Sequence, residues 1–287
     1  MYTYPKLLDE VNFLARCGAE TGSAGITCDG RLIPYLFVGS HTGSQIIITA
    51  GIHAREHIGS YLVVRQAARA LGRFQNHKTQ GGVYFIPMLN PDGNEIIYKG
   101  INAMRRTDRA LLAGILRHKN RGLYKANARG VDLNVNFDAN WGTGIQNTRV
   151  PGIESFIGAA PFSEPETRAL RDFTYAVRPA ATVSYHAIGR ELYWEFGQTG
   201  AAKARDRSVA EYLNERLGYK IVDGDGDSAG GYKDWCIQAL GIPAFTIELV
   251  DGAHTHPFTD YALAKDDIAR NLDLPERLLL ILNCVYN

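Results

Sequence analysis

Short apolar runs alternate with stretches of helical periodicity along most of this sequence. Runs of strand length include 46–50, 181–185 and 244–249, whereas apolar residues recur with a period of about 3.6 over 56–71. Strands that alternate with helices form a mainly parallel sheet with helices on both faces. The sequence therefore predicts an α/β fold, and the absence of a repeat or linker predicts a single domain over residues 1–287.

Two local predictions refine this pattern. Pro34 interrupts the apolar run 32–38, and because proline has no backbone N–H to donate, we expect that strand at an edge of the sheet. The apolar pattern over 261–282 predicts one long helix. Functional residues are expected beyond the carboxyl ends of the strands, because the binding sites of such sheets lie there.

The charge balance argues against two broad classes of partner. The chain has 31 Lys and Arg residues against 30 Asp and Glu residues, for a net charge of +1. Proteins that bind nucleic acid or anionic membranes usually carry a strong positive excess, so we expect neither partner. The longest apolar runs, 46–50 and 278–282, are far shorter than the roughly 20 residues of a membrane helix. No secretory signal pattern opens the sequence, which predicts a cytoplasmic protein, with export by another route as the alternative.

Three residues have the pattern of a catalytic metal site. His53 and Glu56 are three positions apart after a predicted strand, which places both side chains on one side of a turn. His186 ends another predicted strand and supplies a distant third ligand, which leaves one position of a zinc ion open for water. Each residue also has an ordinary interpretation, as a surface histidine, a glutamate at a helix start and a partly buried histidine.

Further polar residues follow a third predicted strand. Glu248 lies inside the apolar run 244–249, where an unpaired carboxylate is costly to bury, so we expect it to face a cleft. His254 and His256 come shortly afterwards and either enter the same cleft or stay solvated in a loop.

Five segments in a fixed order resemble the zinc carboxypeptidase family. They are Gly51-Ile-His-Ala-Arg-Glu56, Asn90-Pro-Asp-Gly93, Gly130-Val-Asp-Leu-Asn134, His186 and Phe245-Thr-Ile-Glu248. The resemblance implies a single α/β/α sandwich with a mixed, mainly parallel central sheet and one Zn²⁺ ion per chain. It also implies a metallopeptidase whose partner is a peptide or muropeptide.

The resemblance assigns roles to the polar residues of these segments. It makes His53, Glu56 and His186 the zinc ligands, and Glu248 the general base that takes a proton from zinc-bound water. Asp132 matches an aspartate that holds a ligand histidine in the correct tautomer, although a turn-capping role is the alternative.

The site also needs a cation beside the oxyanion that develops during hydrolysis. In the family an arginine shortly precedes the Gly-Val-Asp segment, and here Lys125 lies in the matching stretch, with Arg129 and Arg105 as substitutes. Arg55 matches a family arginine that contacts substrate beyond the scissile bond, or it is a plain surface charge.

The sequence departs from the carboxypeptidases where they bind the terminal carboxylate of their substrate. The family uses an Asn-Arg pair there, whereas this chain has Asn134 followed by Val135, which offers no donor. The position of the family's capping tyrosine falls near Gly226, so we expect no cap unless Tyr232 replaces it. Lys233 falls at the specificity position of the pocket for the leaving residue, where a cation selects an acidic side chain.

These departures, together with the segment His186-Ala-Ile-Gly-Arg-Glu-Leu-Tyr-Trp194, resemble one bacterial branch, the γ-D-glutamyl-meso-diaminopimelate peptidases. We therefore predict a zinc peptidase that hydrolyses γ-D-glutamyl-diaminopimelate bonds of cell-wall stem peptides. A metallocarboxypeptidase and a zinc N-acyl amino acid deacylase are the alternatives. A non-catalytic peptide-binding paralogue is disfavoured because no candidate ligand or base is missing.

Overall fold

The structure of the protein is a computed structural model that describes residues 2–74, 80–224 and 228–286. The described helices are α1 (Tyr4–Arg16), α2 (His57–Phe74), α3 (Pro91–Lys99), α4 (Arg109–Leu116), α5 (Pro165–Val177), α6 (Gly200–Leu217), α7 (Tyr232–Leu240), α8 (Lys265–Asn271) and α9 (Leu274–Tyr286). The described strands are β1 (Glu20–Ile26), β2 (Leu32–Gly39), β3 (Gln45–Ala50), β4 (Gly82–Ile86), β5 (Ala181–Ala187), β6 (Glu191–Tyr193), β7 (Lys220–Val222) and β8 (Ala244–Leu249). None of these helices combines the length and the apolar character that crossing a membrane requires.

All eight strands belong to one mixed sheet, in the order β1-β2-β4-β3-β5-β8-β6-β7. Four neighbouring pairs are parallel, namely β4–β3, β3–β5, β5–β8 and β6–β7. The other three pairs are antiparallel. This arrangement confirms the predicted α/β fold with a mixed, mainly parallel sheet.

Helices cover both faces of the sheet because its central strands are apolar on both sides. In β3, Ile46 and Ile48 are fully buried in a core shared with α1, α2, α6 and α9. Ile47 points to the other face and is fully buried in a core shared with α5 and α7. These two apolar cores produce the α/β/α sandwich and fix the position of the strand ends.

The structure corrects two local predictions. The strand β2, which contains Pro34, is not at the edge of the sheet, because β1 pairs with its outer side. Pro34 lies opposite Ser23, next to an irregularity in the β1–β2 register that accommodates the missing donor. The C-terminal apolar stretch forms α8 and α9 rather than one helix. Asn271 ends α8, and its side-chain amide donates to the carbonyl of Asp267 at 2.8 Å.

Tight turns hold the carboxyl ends of β3 and β4 together. Gly51 has a φ of +63°, and a Cβ atom there would lie 2.7 Å from the hydroxyl oxygen of Ser60. Asn90 follows β4 and caps α3 by accepting from the Gly93 N–H at 2.9 Å. The amide of Asn90 also donates to the Ile52 carbonyl at 3.1 Å, which ties this turn to the segment leading to α2.

Candidate active site

Three neighbouring parallel strands carry the polar residues of the candidate site at their carboxyl ends. His53 and Glu56 follow β3, while His186 and Glu248 lie near the ends of β5 and β8. The strand β5 pairs with both β3 and β8, and His186 is the register partner of Glu248. The strand order therefore brings together four side chains that are distant in sequence.

His53, Glu56 and His186 form a compact buried cluster. The Nδ1 atom of His53 lies 2.9 Å from Oε1 of Glu56, and the Nδ1 atom of His186 lies 3.1 Å from Oε2 of Glu56. The two Nδ1 atoms are 3.2 Å apart. One ligand atom from each residue thus lies within 4.8 Å of the others, which suits the ligand set of a single metal ion.

The charges around this cluster favour a bound cation. Although burial opposes protonation, Glu56 and Asp132 raise the pKa of His53 to about 9. Burial acts to raise the pKa of Glu56, but His53 and His186 hold that pKa well below its usual value. Burial lowers the pKa of His186, which favours the neutral ring that coordinates metals. Zinc binding by two imidazoles and one ionised carboxylate fits this donor set.

Glu248 faces the cluster from β8. Its Oε2 atom is buried and has no hydrogen-bond partner among the residues that the structure describes. Burial raises the pKa of Glu248 to about 8, and the nearby Glu56 carboxylate adds to this rise. A carboxyl group beside a metal site with an unused oxygen is suited to exchange a proton with water.

Asp132 contacts the second ring nitrogen of His53. The Nε2–H group of His53 donates to Oδ1 of Asp132 at 3.2 Å. Nδ1 of His53 lies 2.9 Å from the ionised Glu56 carboxylate and donates a proton to it, and a metal ion bound at Nδ1 would take the place of that proton. The backbone N–H groups of Asn134 and Ser155 donate to the Asp132 carboxylate at 3.2 and 3.0 Å. Burial acts to raise the pKa of Asp132, but His53 holds it well below its usual value. Asp132 thus caps a turn and orients His53 at the same time.

Lys125 brings a positive charge to this region. Its backbone carbonyl accepts from the Ala54 N–H at 3.0 Å, which ties Lys125 to the residue after His53. The Lys125 ammonium group acts to lower the pKa values of His53 and Glu248, although burial and the neighbouring carboxylates have larger effects on both. Its charge therefore acts on the metal cluster and on the candidate base.

Neither alternative cation is among the charges that act on the metal cluster and on Glu248. Arg129 is exposed, and its Nη1 atom lies 3.7 Å from Oε2 of Glu164. Arg105 lies beside Asp29, whose carboxylate accepts from the Arg105 backbone N–H at 2.9 Å. The geometry therefore favours Lys125 over both arginines as the cation of the site.

Comparison with known proteins now identifies the family. The model of the zinc carboxypeptidase family matches residues 7–272. This chain belongs to the zinc carboxypeptidase family. It is 30% identical over 277 residues to gamma-D-glutamyl-L-diamino acid endopeptidase 1 of Lysinibacillus sphaericus, covering 91% of this chain and 68% of that protein. It is 29% identical over 255 residues to carboxypeptidase O of Homo sapiens, covering 79% of this chain and 63% of that protein.

A comparison with solved structures supports the fold. Bovine thrombin-activatable fibrinolysis inhibitor, solved in complex with tick carboxypeptidase inhibitor, matches with a TM-score of 0.78 at 19% identity. The match covers 98% of this chain and 97% of that chain. The fold, the family and the His-Glu-His cluster together make this protein a zinc metallopeptidase that acts on peptides.

In this zinc metallopeptidase, Asn134 and Val135 lie beside the start of α7. Oδ1 of Asn134 accepts from the Tyr232 N–H at 3.4 Å. The Tyr232 side chain is fully buried, and its hydroxyl lies 2.8 Å from the hydroxyl of Thr174. Tyr232 is therefore a core residue, which excludes it as a replacement for the capping tyrosine and as a substrate-binding residue. Gly226, at the position of that tyrosine, lies outside the described residues.

Lys233 has its charge compensated within the protein. Its Nζ atom donates to the carbonyl of Glu195 at 2.6 Å and to the carboxylate of Asp234 at 2.6 Å. The ammonium group also lies over the ring of Phe196, 5.4 Å from its centroid. A free cation that selects an acidic substrate group, as predicted from the position of Lys233, does not match this geometry.

A second group of residues, Cys28, Asp92 and Glu166, also brings metal-binding atoms together. Its carboxylates are already engaged, since Asp92 accepts from Arg31 at 2.8 Å and Glu166 accepts from the Cys28 N–H at 3.0 Å. Burial and the neighbouring Asp92 raise the pKa of Glu166 to about 7. We interpret this group as a structural network that joins the β1–β2 turn to α3 and α5.

Sequence reasoning left the position of His256 open, and the structure brings it to the end of β5. Its Nε2 atom lies 2.9 Å from the carbonyl oxygen of Ala187, 69 positions earlier in the chain. Arg55, between His53 and Glu56, donates from Nη1 to the Leu123 carbonyl at 3.1 Å, and the same atom lies 3.6 Å from Oε2 of Glu154. The only sequence signal for His256 is its closeness to Glu248, because the strand order that creates this contact is not a local property.

Proposed function

We propose that this zinc metallopeptidase hydrolyses the amide bond between γ-D-glutamate and a diamino acid such as meso-diaminopimelate in cell-wall stem peptides. The observation that carries the proposal is Val135 beside Asn134, because no guanidinium is present where the carboxypeptidases bind a free α-carboxylate. The similarity to an enzyme named as a γ-D-glutamyl-L-diamino acid endopeptidase supports the same substrate class.

We assign His53, Glu56 and His186 as the residues that hold the zinc ion. When bound there, zinc polarises the scissile carbonyl and lowers the pKa of water to about 7. Asp132 accepts the Nε2–H of His53 and so keeps the coordinating nitrogen unprotonated and correctly oriented.

Two further residues move or balance charge during the reaction. Glu248 takes a proton from the attacking water at its unpartnered Oε2 atom and passes it to the nitrogen of the leaving diamino acid. Lys125 stabilises the negative charge that develops on the carbonyl oxygen. These assignments rest on the position of both residues beside the metal cluster.

The substrate preference that we expect follows from the side chain of Val135. Valine has no donor for a carboxylate, so a free C-terminus contributes little to binding on this side. We therefore expect cleavage between γ-D-glutamate and meso-diaminopimelate whether or not D-alanine follows, and poor activity on ordinary peptides that end in phenylalanine, leucine or arginine.

The test uses zinc-loaded enzyme, L-Ala-γ-D-Glu-meso-diaminopimelate with and without a following D-Ala, and the ordinary peptides, with products measured by mass spectrometry. The two γ-glutamyl substrates should have similar kcat/KM values. The Val135→Arg variant should raise activity on peptides with a free C-terminus by about 10-fold or more, since a hydrogen bond to a charged group contributes about 1.5 to 3 kcal/mol. Val135→Leu is the matched control that changes size without adding a donor.

Three other outcomes would contradict the proposal. Rapid removal of ordinary C-terminal residues, with the γ-glutamyl tripeptide untouched, would identify a metallocarboxypeptidase. The similarity to human carboxypeptidase O makes this the second candidate. Hydrolysis of N-acyl amino acids alone would identify a deacylase, and zinc binding without hydrolysis of any peptide would identify a binding protein.

A further inference from the structure

The charge of the chain is unevenly distributed along the sequence. Residues 105–129 contain eight lysines and arginines but one acidic residue, Asp108, which leaves 23 of the 31 basic and 29 of the 30 acidic residues for the rest of the chain. The net charge of +1 therefore conceals a strongly positive segment. We call residues 105–121 the cationic segment, because its basic side chains are all exposed: Arg105, Arg106, Arg109, Arg117, Lys119 and Arg121.

The protein does not neutralise these charges itself. None of the six side chains forms a salt bridge within the described part of the chain, because the carboxylates nearby are engaged elsewhere. Asp108 caps α4 by accepting from the Ala110 N–H at 2.7 Å. Asp29 is fully buried, pairs with Arg31 at 2.7 Å and accepts from the backbone N–H groups of residues 105–107. The cationic segment thus presents its charge to solvent.

The cationic segment ends beside the active site. Two residues after Arg121, the carbonyl of Leu123 accepts from Nη1 of Arg55, which lies between two metal-cluster residues. A chain spans at most about 3.5 Å per residue, so the Cα atoms of Arg117, Lys119 and Arg121 lie within about 21, 14 and 7 Å of Leu123. At low ionic strength, charges at these distances act on a substrate in the site, because the Debye length is about 30 Å at 0.01 M.

The proposed substrate carries the opposite charge. A γ-linked D-glutamate keeps its α-carboxylate free, because the peptide bond uses its side-chain carboxyl group. With the two carboxylates of meso-diaminopimelate, the tripeptide has three carboxylates against two amines and is anionic at neutral pH. Surface charges of one sign raise the local concentration of an oppositely charged substrate, and salt weakens this effect steeply.

We propose that the cationic segment attracts the anionic stem peptide and strengthens its binding to the active site by long-range electrostatic interaction. This inference rests on the proposed function for the charge of the substrate, and it leaves the roles of the zinc ligands, Glu248 and Lys125 unchanged. It implies a preference for stem peptides whose γ-D-glutamate has a free α-carboxylate over those in which this group is a carboxamide.

The test measures kcat and KM of zinc-loaded Arg117→Gln/Lys119→Gln/Arg121→Gln at increasing NaCl concentrations. The substrates are L-Ala-γ-D-Glu-meso-diaminopimelate and its analogue with a carboxamide in place of the glutamate α-carboxylate. At an ionic strength of about 0.02 M, kcat/KM for the carboxylate substrate should fall by about 10-fold, with the change in KM. At about 1 M, where the Debye length is about 3 Å, the variant and wild type should agree within about 2-fold. The carboxamide substrate has equal numbers of carboxylates and amines, so its kcat/KM should change little.

Arg16→Gln/Arg73→Gln/Arg178→Gln is the matched control, because it makes the same change in net charge at exposed arginines that form no salt bridge with a described residue. Arg16 and Arg73 lie about 18 and 24 Å along α1 and α2 from the first residues of these helices, Tyr4 and His57. Arg178 precedes β5, whose opposite end carries His186. This variant should keep the wild-type kcat/KM on both substrates.

Several results would overturn the proposal. They are an unchanged kcat/KM in the test variant at low ionic strength, a loss that salt does not reduce, and an equal loss in the control variant. Binding of duplex DNA that only the test variant loses, with unchanged peptide kinetics, would assign the cationic segment to a different partner. If the test variant does not fold, the wild-type preference for the carboxylate over the carboxamide substrate must still fall with salt. If only ordinary peptides are cleaved, the proposed function fails, and peptides with glutamate or glutamine in the acyl part measure the same ratio.

Discussion

Replacement of Glu248 by glutamine separates the general base from the metal site. The amide has nearly the shape of the carboxyl group but cannot take the proton of the attacking water at the position of Oε2. A positioned general base contributes roughly 10²- to 10⁴-fold to the rate, which corresponds to about 3 to 5 kcal/mol of activation free energy. We therefore expect kcat to fall by that factor, with little change in KM and with one zinc ion retained per chain.

Glu191 provides the matched control for this experiment. It is the register partner of Glu248 across the β6–β8 pair, but its carboxylate accepts from the Tyr193 hydroxyl at 2.6 Å and from Lys220 at 2.9 Å. Glu191→Gln should retain activity within a few-fold, measured by steady-state kinetics with zinc content determined on the same samples. Near-normal turnover in Glu248→Gln, or a loss as large in Glu191→Gln, would refute the assignment of the base.

Three other predictions concern the metal, the oxyanion and a buried carboxyl group. His186→Ala should abolish stoichiometric zinc measured by elemental analysis, and one tightly retained ion would refute the ligand set. Lys125→Met should lower kcat by about 10²- to 10³-fold, as loss of an oxyanion donor does, while Arg129→Met, which removes the partner of Glu164, should have little effect. Because burial raises the pKa of Glu166 to about 7, ionisation opposes folding increasingly as the pH rises from about 4.5 to 7. In chemical denaturation, wild type should therefore lose about 1 to 3 kcal/mol relative to Glu166→Gln over that interval, and parallel pH profiles would contradict this.

The main elements of the fold were predictable because their signals are local. The apolar run 46–50 became β3, and the helical pattern over 56–71 became α2, since burial of alternating or periodic apolar residues determines both. The failures were tertiary in origin. Pro34 predicted an edge strand, but the polar strand β1, whose residues are mostly exposed, covers that edge. The stretch 261–282, predicted as a single helix, instead forms α8 and α9, because Pro275 has no N–H to donate to the Asn271 carbonyl, which accepts from the Gln66 side chain instead.

The metal cluster could be predicted because ligand chemistry limits the choice of residues and because β3, β5 and β8 are neighbours. His53 and His186 are 3.2 Å apart between their Nδ1 atoms, as the ligand spacing suggested. The substrate-binding residues were less predictable, because their roles depend on which other side chains they contact in the folded protein. Lys233 is compensated by Asp234, and Tyr232 is buried in the core, neither of which the sequence reveals.

The bond that this zinc metallopeptidase cleaves can be identified in a single labelling experiment. Zinc-loaded enzyme is incubated with L-Ala-γ-D-Glu-meso-diaminopimelate in water enriched in ¹⁸O, and the products are analysed by tandem mass spectrometry. Attack of water on the γ-carbonyl predicts one ¹⁸O atom in the side-chain carboxyl group of L-Ala-D-Glu and unlabelled free diaminopimelate. Release of a different residue, label in another carboxyl group, or an intact tripeptide with fully zinc-loaded enzyme would contradict the proposed reaction.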